Sequence, residues 1–514
     1  MTAGSVYLIG AGPGDPTLIS VKGQRYLQRA DVVVYDHLVH PRLVQTMRPD
    51  VERIDVGAAT PQPLEQDAIN ILLADKAREG KTVARLKWGD PFVSDSGGKE
   101  ALFLHEHGIP FEVVPGVPPS IGGPCFAGVP ITYPETGDTL LFIRGHEAET
   151  NTPPNVDWSR VAALSGTIVS DAGGAQLEVI IDELLKHGRS ADEPAALILN
   201  GTLPTQRTIQ SSLSDIQGVV RKAQHHGTAV LVVGPVVGRR EHLRWFDSRP
   251  LFGKRVLVTR PQDQAAEFVD LLAELGANPI EAPTIRIAPP EDDGALDEAC
   301  ASASTFDWIV FTSVNGVDAF MEQLLAGPRD VRALKDVRLC AIGPATAARL
   351  SRYGLKVDLM PSEHRAEAVS AALQQDHEVR GARILLPRAD LARPLLPNEL
   401  RDAGAHVVAV TAYRTVPVSR SSGVDIYKLL LDPGIDVVTF TSASTVRNFV
   451  TLLGAEPAAD LLGTTLVASI GPVTAEAARQ LGIETSIMPS TYTVPRLAQA
   501  IADHFRRAED AGGG

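Results

Sequence analysis

The sequence predicts an α/β protein made of two two-lobed units in tandem, and three observations carry that prediction. Short apolar, β-branched runs alternate with helical stretches almost throughout: VYLIG, DVVVYD, TVARLK, FEVVPG, TLLFIRG, GTIVS, AALIL and TAVLVVG. That alternation is the pattern of strands interleaved with helices. Gly- and Pro-rich or polar interruptions divide the chain into segments of lobe size. The C-terminal part also repeats itself. FTSVNGVDAF at 311–320 is answered by FTSASTVRNF at 440–449, 129 positions on. VLVTRP (from Val256), LAELGA (272–277) and AIGPATAARL (341–350) are answered by ILLPRA (from Ile384), LRDAGA (400–405) and SIGPVTAEAA (469–478), each 128 positions on. Four elements in register define a duplicated unit of about 128 residues over roughly 254–510. Its length is that of a small domain, not a solenoid repeat.

Composition bounds the class. A chain of 514 residues has room for roughly three to five domains. Its 44% hydrophobic and 21% charged content is that of an ordinary globular protein. The cysteines Cys125, Cys300 and Cys340 are far apart and form no CxxC pair, which disfavours a disulfide framework or zinc site and points to a cytoplasmic location with no metal. No run of 18 apolar residues exists and the start MTAGSVYLIG lacks a signal pattern, so no membrane partner is expected. A net charge of −14 without a basic stripe argues against nucleic acid. A small anionic ligand needs only a local pocket and stays open.

Taken in chain order, the first unit covers about 1–247, with lobes at about 1–117 and 138–247. PGVPPSIGGPCFAGVPITYPETGD (115–138) between them is dense in Gly and Pro and predicts a hinge or crossover. RWFDSRPLFGKR (244–255) closes this unit. The second unit covers about 254–507: one lobe from 254–283 plus 416–507, the other from 289–412. The tail AEDAGGG (508–514) is expected to be disordered.

The first unit opens on VYLIGAGPGDPTLISVKGQRYL, a strand, a Gly-rich turn and a helix. Glycines there let backbone N–H groups approach a ligand. Asp36 closes the next strand, 26 residues after Gly10, like the ribose-binding acid of a dinucleotide site. GAGPGD is GxGxGD and not GxGxxG, however, and Pro13 removes a donor, which undercuts a nicotinamide-dependent oxidoreductase. Alone, the turn is equally compatible with a structural role.

The combination GAGPGDP, YDHLV (35–39), GDPF (89–92), PGV (115–117), FAG (126–128), GH (145–146) and NGTLPTQRT (200–208) resembles the uroporphyrinogen-III C-methyltransferases of the tetrapyrrole methylase family. The resemblance implies two α/β lobes holding S-adenosyl-L-methionine between them, and a homodimer through this half. It implies transfer of two methyl groups to uroporphyrinogen III, giving precorrin-2. Pro13 would lie on the cofactor loop, Gly89 and Asp90 at the cofactor's polar end, Val93 at its flank and Gly201 on its adenosine side, with Asp36 as the base. Asp36 as a strand-end carboxylate capping the next turn is the alternative. Departures from the family pattern are Trp88 for a glycine, Pro118 and Pro119 for a Thr-Ala or Thr-Ser pair, Ala172 for a methionine, Ala58 for a lysine and Ser96 for an arginine. They raise a second reading, a methylase-like lobe that has lost or altered its activity.

In the second unit each copy carries a strand ending in FTS, whose Ser opens a helix, and a strand ending in IGP with a Thr two positions on. Ser313 and Ser442 fall at N-cap positions, and Thr346 and Thr474 in first turns. Four helix N-termini offer free N–H groups to a polycarboxylate; ordinary caps are the plain alternative. VLVTRP, FDWIVFTSVNGVDAF, CAIGPATAARL, ILLPRAD, AYRTV, FTSASTVRNF and SIGPVTAEAARQLG resemble uroporphyrinogen-III synthase. The resemblance implies two lobes joined by a two-stranded ladder of PTIRIAP (283–289) and AYRTVPV (412–418), and no cofactor. The reaction implied is a hydro-lyase step, closing hydroxymethylbilane to uroporphyrinogen III with inversion of the last ring. Linear and cyclic tetrapyrroles are then the substrates. Tyr413 would protonate the departing hydroxyl; otherwise it is a linker-strand aromatic. Ser313, Thr346, Ser442 and Thr474 would bind acetate and propionate groups. Arg260 and Arg388, at equivalent strand ends, are further candidates for carboxylate pairing. A two-lobed binding protein without turnover is the remaining reading of this half.

Overall fold

The computed structural model describes residues 4–512 except 46, 49, 58–63, 95, 145–153, 224–228, 364, 377–378, 391, 393, 418–425, 432–433 and 464. Ala58 and the GH pair at 145–146 therefore lie outside the described residues, as does the side chain of Ala172. The chain divides into a unit of residues 1–255 with 271–279 and 502–514, and a unit of residues 256–270 with 280–501.

The first unit contains two sheets. β1 (Ser5–Gly10), β2 (Val32–Tyr35), β3 (Glu52–Asp55), β4 (Thr82–Lys87) and β5 (Phe111–Val114) form an all-parallel sheet in the order β3-β2-β4-β1-β5. Val6, Leu8 and Ile9 of β1, and Val32, Val33 and Val34 of β2, are buried on both faces, as parallel strands under helices require. β6 (Leu140–Arg144), β7 (Thr167–Ala172), β8 (Pro194–Leu199), β9 (Arg207–Ser212) and β10 (Ala229–Val233) form a mixed sheet in the order β6-β7-β10-β8-β9. β10 runs antiparallel to both neighbours. The Gly/Pro-rich stretch between the sheets is not loop throughout: Pro119–Phe126 is a helix, with Pro119 at its first position, where proline's missing N–H costs nothing.

The second unit holds two further sheets. β11 (Arg255–Val258), β12 (Asn278–Glu281), β18 (Val437–Phe440) and β19 (Leu466–Ser469) are ordered β12-β11-β18-β19. β13 (Ile285–Ala288), β14 (Trp308–Phe311), β15 (Arg338–Ala341), β16 (Arg383–Ala389) and β17 (His406–Pro417) are ordered β13-β17-β16-β14-β15. β13 and β17 pair antiparallel, Ile285 opposite Pro417 and Ala288 opposite Arg414. All other pairs in that sheet are parallel. Each copy of the repeat thus supplies equivalent strands to different sheets, and each core draws on both copies: Phe311 packs on Phe320 in a core shared with Leu385 and Tyr413, Phe440 on Phe449 in a core shared with Leu257 and Ala282. The last helix, Val494–Gly512, runs through most of the segment expected as a tail.

Candidate active sites

In the first unit the C-terminal ends of β1, β4 and β5 converge. Ligands bind at this edge of a parallel sheet where the connections diverge to opposite sides. Gly12 N–H donates to the Gly89 carbonyl (3.2 Å) and Gly89 N–H to the Gly12 carbonyl (2.9 Å). Both glycines have positive φ, 85° and 72°, so the exchange needs residues without a Cβ. A Cβ on Gly116 would stand 2.2 Å from the Gly89 oxygen. The Asp90 carboxylate locks this arrangement. One oxygen accepts from Phe92 N–H (2.8 Å), the other from Gly116 N–H (2.9 Å), and Asp90 is buried. Asp90 therefore shapes the loop through the backbone N–H groups that its carboxylate holds. Val93 and its neighbour Phe92 stand out from the rim, 42% and 58% exposed.

The second sheet contributes the NGTLPTQ loop. Gly201 lies against the Pro119–Phe126 helix, where a Cβ would come within 2.8 Å of Gly123 Cα, and Pro13 packs on Gly122 of the same helix. Thr202 accepts Asp15 N–H on its hydroxyl (3.0 Å) while its own N–H donates to Gln206 Oε1 (2.9 Å). Thr202 has φ 72° and Asn200 φ 50°, and a β-branched residue in that region is strained backbone of the kind that clusters at functional sites. The structure brings Pro13, Gly89, Asp90, Val93 and Gly201 to one edge. Thr202 belongs with them; left-handed threonine carries no sequence signature.

Asp36 follows β2 beside this edge. Its carboxylate accepts from Arg85 Nη2 (2.5 Å) and from Trp88 N–H (3.2 Å). Arg85 in turn donates through Nε to Glu100 Oε1 (3.1 Å), and Lys87 Nζ donates to the same oxygen (3.0 Å) and to Ser96 Oγ (3.1 Å). Arg85, Lys87 and Glu100 have side-chain exposures of 2%, 1% and 0%. Among the described residues two cations and two anions face one another here, and such pairing is the condition for burying charge. Burial works against ionising Asp36, but the Arg85 and Lys87 charges and the bonds from Arg85 and Trp88 outweigh it and hold its carboxyl below the usual range. Glu100 is held low by the same two cations against the same burial.

The departures at Trp88, Ser96, Pro118 and Pro119 are accommodated. The Trp88 ring donates to the Pro13 carbonyl (3.0 Å), Ser96 receives Lys87, and the two prolines start a helix.

In the second unit Ser313 caps the helix Val314–Ala326, its Oγ accepting Gly316 N–H (3.0 Å) and lying 3.0 Å from Tyr413 Oη. Tyr413 is buried on β17 opposite Ala389, where β16 slips register after Arg388; such irregularities re-aim side chains. Burial raises the Tyr413 phenol above its ordinary value, against the opposing bonds from Ser313 and Asn315. Ser442 makes a capping box with Thr445 on Ala443–Leu453, and Thr346 and Thr474 sit buried in the first turns after Gly343 and Gly471. Arg260 Nη2 donates to Gln264 Oε1 (3.3 Å) while its buried Nε has no partner. Burial lowers its proton affinity, with only Glu267 opposing. Arg388 donates to the Ala392 carbonyl. Neither arginine has a carboxylate hydrogen-bond partner among the described residues. The structure unites Ser313 with Tyr413 directly; Ser442, Thr346, Thr474 and Arg388 each have their own surroundings.

Residues 5–217 match the family described as tetrapyrrole (corrin/porphyrin) methylases, and residues 266–499 that described as uroporphyrinogen-III synthase HemD. A porphyrin biosynthesis protein HemD from Ruminiclostridium josui is 34% identical over 94% of this chain and 95% of its own length. The chain belongs to both families, one in each half. A uroporphyrinogen-III C-methyltransferase from Bacillus subtilis is 36% identical over 70% of this chain and 73% of that protein. Among solved structures, a uroporphyrin-III C-methyl transferase from Thermus thermophilus is 34% identical over 46% of this chain and 99% of its own, with a TM-score of 0.39. The methylase half and the synthase half contain, among the described residues, no helix long and apolar enough to cross a membrane and no cluster of metal-ligating side chains.

What sequence reading missed in the methylase half is the Arg85–Lys87–Glu100 core of the charge network. The available signal was TVARLK itself. Two cations two apart on one face of a strand that reads as buried demand buried anions.

Proposed function

We propose that the chain performs two successive steps on one tetrapyrrole: the synthase half closes hydroxymethylbilane to uroporphyrinogen III, and the methylase half methylates that product twice to precorrin-2. The observation that carries the reading is the Tyr413–Ser313 pair, 3.0 Å apart across 100 positions of sequence, a protonated acid beside a helix N-terminus. Proton delivery to the departing hydroxyl releases water from the open chain. Ring closure then frees a carbon-bound proton that restores the acid, so atoms balance without a cofactor. The larger task is orientation, since the inverted ring must close before the uninverted one. Arg260 and Arg388, lacking carboxylate partners, and the helix starts at Ser313, Ser442, Gly343 and Gly471 suit the substrate's carboxylates.

The methylase edge fits S-adenosylmethionine. Side-chain-free loops at Gly12, Gly89 and Gly116 meet beside the exposed Phe92 and Val93, an apolar flank for a flat adenosyl group. Bound there by the Pro13 loop, Gly89, Val93 and Gly201, the sulfonium supplies an electrophilic methyl group. Asp36, kept ionised by Arg85, takes the proton released as the macrocycle rearranges. The three free cysteines are in keeping with a cytoplasmic enzyme, and sedimentation of the full chain tests the homodimer implied for the methylase half.

The test is to feed hydroxymethylbilane to the full chain with and without S-adenosylmethionine and follow products by absorbance and mass. Uroporphyrinogen III alone, then a product heavier by two CH₂ units, each methyl replacing a proton, is expected. Uroporphyrinogen I as the sole product overturns the first step; no mass gain overturns the second. Tyr413→Phe is expected to slow uroporphyrinogen III formation at least several-fold; an unchanged rate removes it from the mechanism.

A further inference from the structure

The Pro13 carbonyl, on the glycine-rich loop after β1, is a buried acceptor with a single donor. Pro13 is buried, and its ring leaves it no N–H, so the carbonyl is its one backbone bonding group. Among the described residues the donor that reaches this oxygen is the Trp88 indole Nε1–H, at 3.0 Å across 75 positions of sequence. A buried carbonyl without a donor is costly. Without the indole, the loop must shift toward water or leave the acceptor unpaired.

Trp88 is itself held in place. Its backbone N–H donates to Asp36 Oδ2 (3.2 Å), and the next residue, Gly89, exchanges backbone bonds with Gly12 (2.9 and 3.2 Å). Residue 89 therefore sets Gly12 and residue 88 sets Pro13. The helix Pro119–Phe126 sets the other side of the loop. A Cβ on Gly122 would stand 2.6 Å from Pro13 Cγ, and one on Gly89 2.9 Å from Pro119 Cδ. At the far end of the loop Asp15 N–H donates to Thr202 Oγ1 (3.0 Å). Trp88 and Pro119, both departures from the family pattern, thus meet on one loop: the first bonds to it, and the second packs against its partner Gly89.

We propose that Trp88 is a positioning residue of the methylase site: its indole N–H holds the Pro13 carbonyl so that the loop of residues 11–15 is shaped for the methyl donor before that ligand arrives. This deepens the reading of this edge as the seat of S-adenosylmethionine, and rests on it. A loop set in advance has less chain to order on association, which strengthens binding. Because the Trp88 N–H also holds Asp36, one residue fixes that seat against the base.

Trp88→Phe keeps a ring and the backbone N–H and removes the indole donor. The calorimetric Kd of the full chain for S-adenosylmethionine is expected to rise about threefold to tenfold, the worth of one hydrogen bond. Hydrogen exchange of the ligand-free chain, read by mass spectrometry, is expected to quicken in the peptide that spans Gly12 and Asp15. Those amides bond to Gly89 and Thr202 while the loop holds its place. Peptides from β3 are expected to exchange as in the wild type, which a general loss of stability would not allow. Gly122→Ala bears on the same loop from the other side, with a residue that itself favours the helix. Its added methyl group displaces the Pro13 ring, so Kd is expected to rise there too. The double variant is expected to lose less than the product of the two, because both act through one loop.

Unchanged affinity in Trp88→Phe overturns the proposal, and so does unchanged exchange at the loop. A fully multiplicative loss in the double variant separates Trp88 from the Pro13 loop and overturns it as well. A wild-type chain that binds no S-adenosylmethionine fells the reading of this edge, and the proposal with it.

Discussion

Arg85 Nε lies 3.1 Å from Glu100 Oε1, and both side chains are sealed from solvent beneath the methylase edge. Lys87 shares the same oxygen at 3.0 Å, so this one carboxylate faces two buried cations, and Asp36 bonds to Arg85 from the other side. Removing one partner of such a set leaves uncompensated charge, which typically costs about 3–5 kcal/mol. Glu100→Ala is expected to lower the melting transition of the methylase half by roughly 6–20 °C, read by differential scanning calorimetry of the full chain. An unchanged transition would mean that solvent reaches the network.

The same network sets an acid limit. Asp36 and Glu100 are both held below the ordinary carboxylate range, so on acidification the unfolded chain binds protons before the folded one does. The stabilisation is fully present above the unfolded value of about 4 and is lost as pH falls through the lower folded values. Thermal scans between neutral pH and about pH 3 should show the methylase transition falling more steeply in the wild type than in Glu100→Gln, where one of the two titrations has been removed.

Asp36→Asn keeps the shape of the side chain and its bond from Trp88 N–H while removing the charge. Methyl transfer is expected to fall about 10²–10⁴-fold if Asp36 is the base. Calorimetric affinity for S-adenosylmethionine should stay within a few-fold, since the Gly12–Gly89 loops are untouched. A parallel loss of affinity would reassign Asp36 from proton transfer to holding the loop.

Arg260 is half-buried, and its Nε is buried with no partner, which suits a guanidinium kept for a ligand. Arg260→Met is expected to leave the thermal transition of the synthase half unchanged or raised, since an imperfectly satisfied charge is removed. It should also raise KM for hydroxymethylbilane about tenfold or more, the worth of a charge-assisted hydrogen bond. A large loss of stability with unchanged KM would make Arg260 a structural residue.

Particular residues show where sequence reading stops. Ser313 and Ser442 are legible as caps because a local oxygen meets a local N–H three positions on. The ladder of 283–289 with 412–418 is legible because the duplication places both at equivalent points, and β13 does pair with β17. The loop at Gly12 and Gly89 is legible in outline from its glycines. By contrast the partners of the Asp90 carboxylate, the Phe92 and Gly116 N–H groups, are not legible in the sequence. Trp88 reads as a departure from the family pattern, and its ring N–H donates to the Pro13 carbonyl.

By itself the sequence determined the α/β class, the two halves, the duplication and the caps, because each is written in short-range periodicity or in similarity between segments. Only the tertiary structure decided that Glu100 answers Arg85, that Gln264 answers Asn315 and that Tyr413 answers Ser313. Those partners lie 15, 51 and 100 positions apart. A side chain's protonation and direction depend on the donors and acceptors that packing brings within about 3 Å of it, and no local pattern encodes which ones those will be.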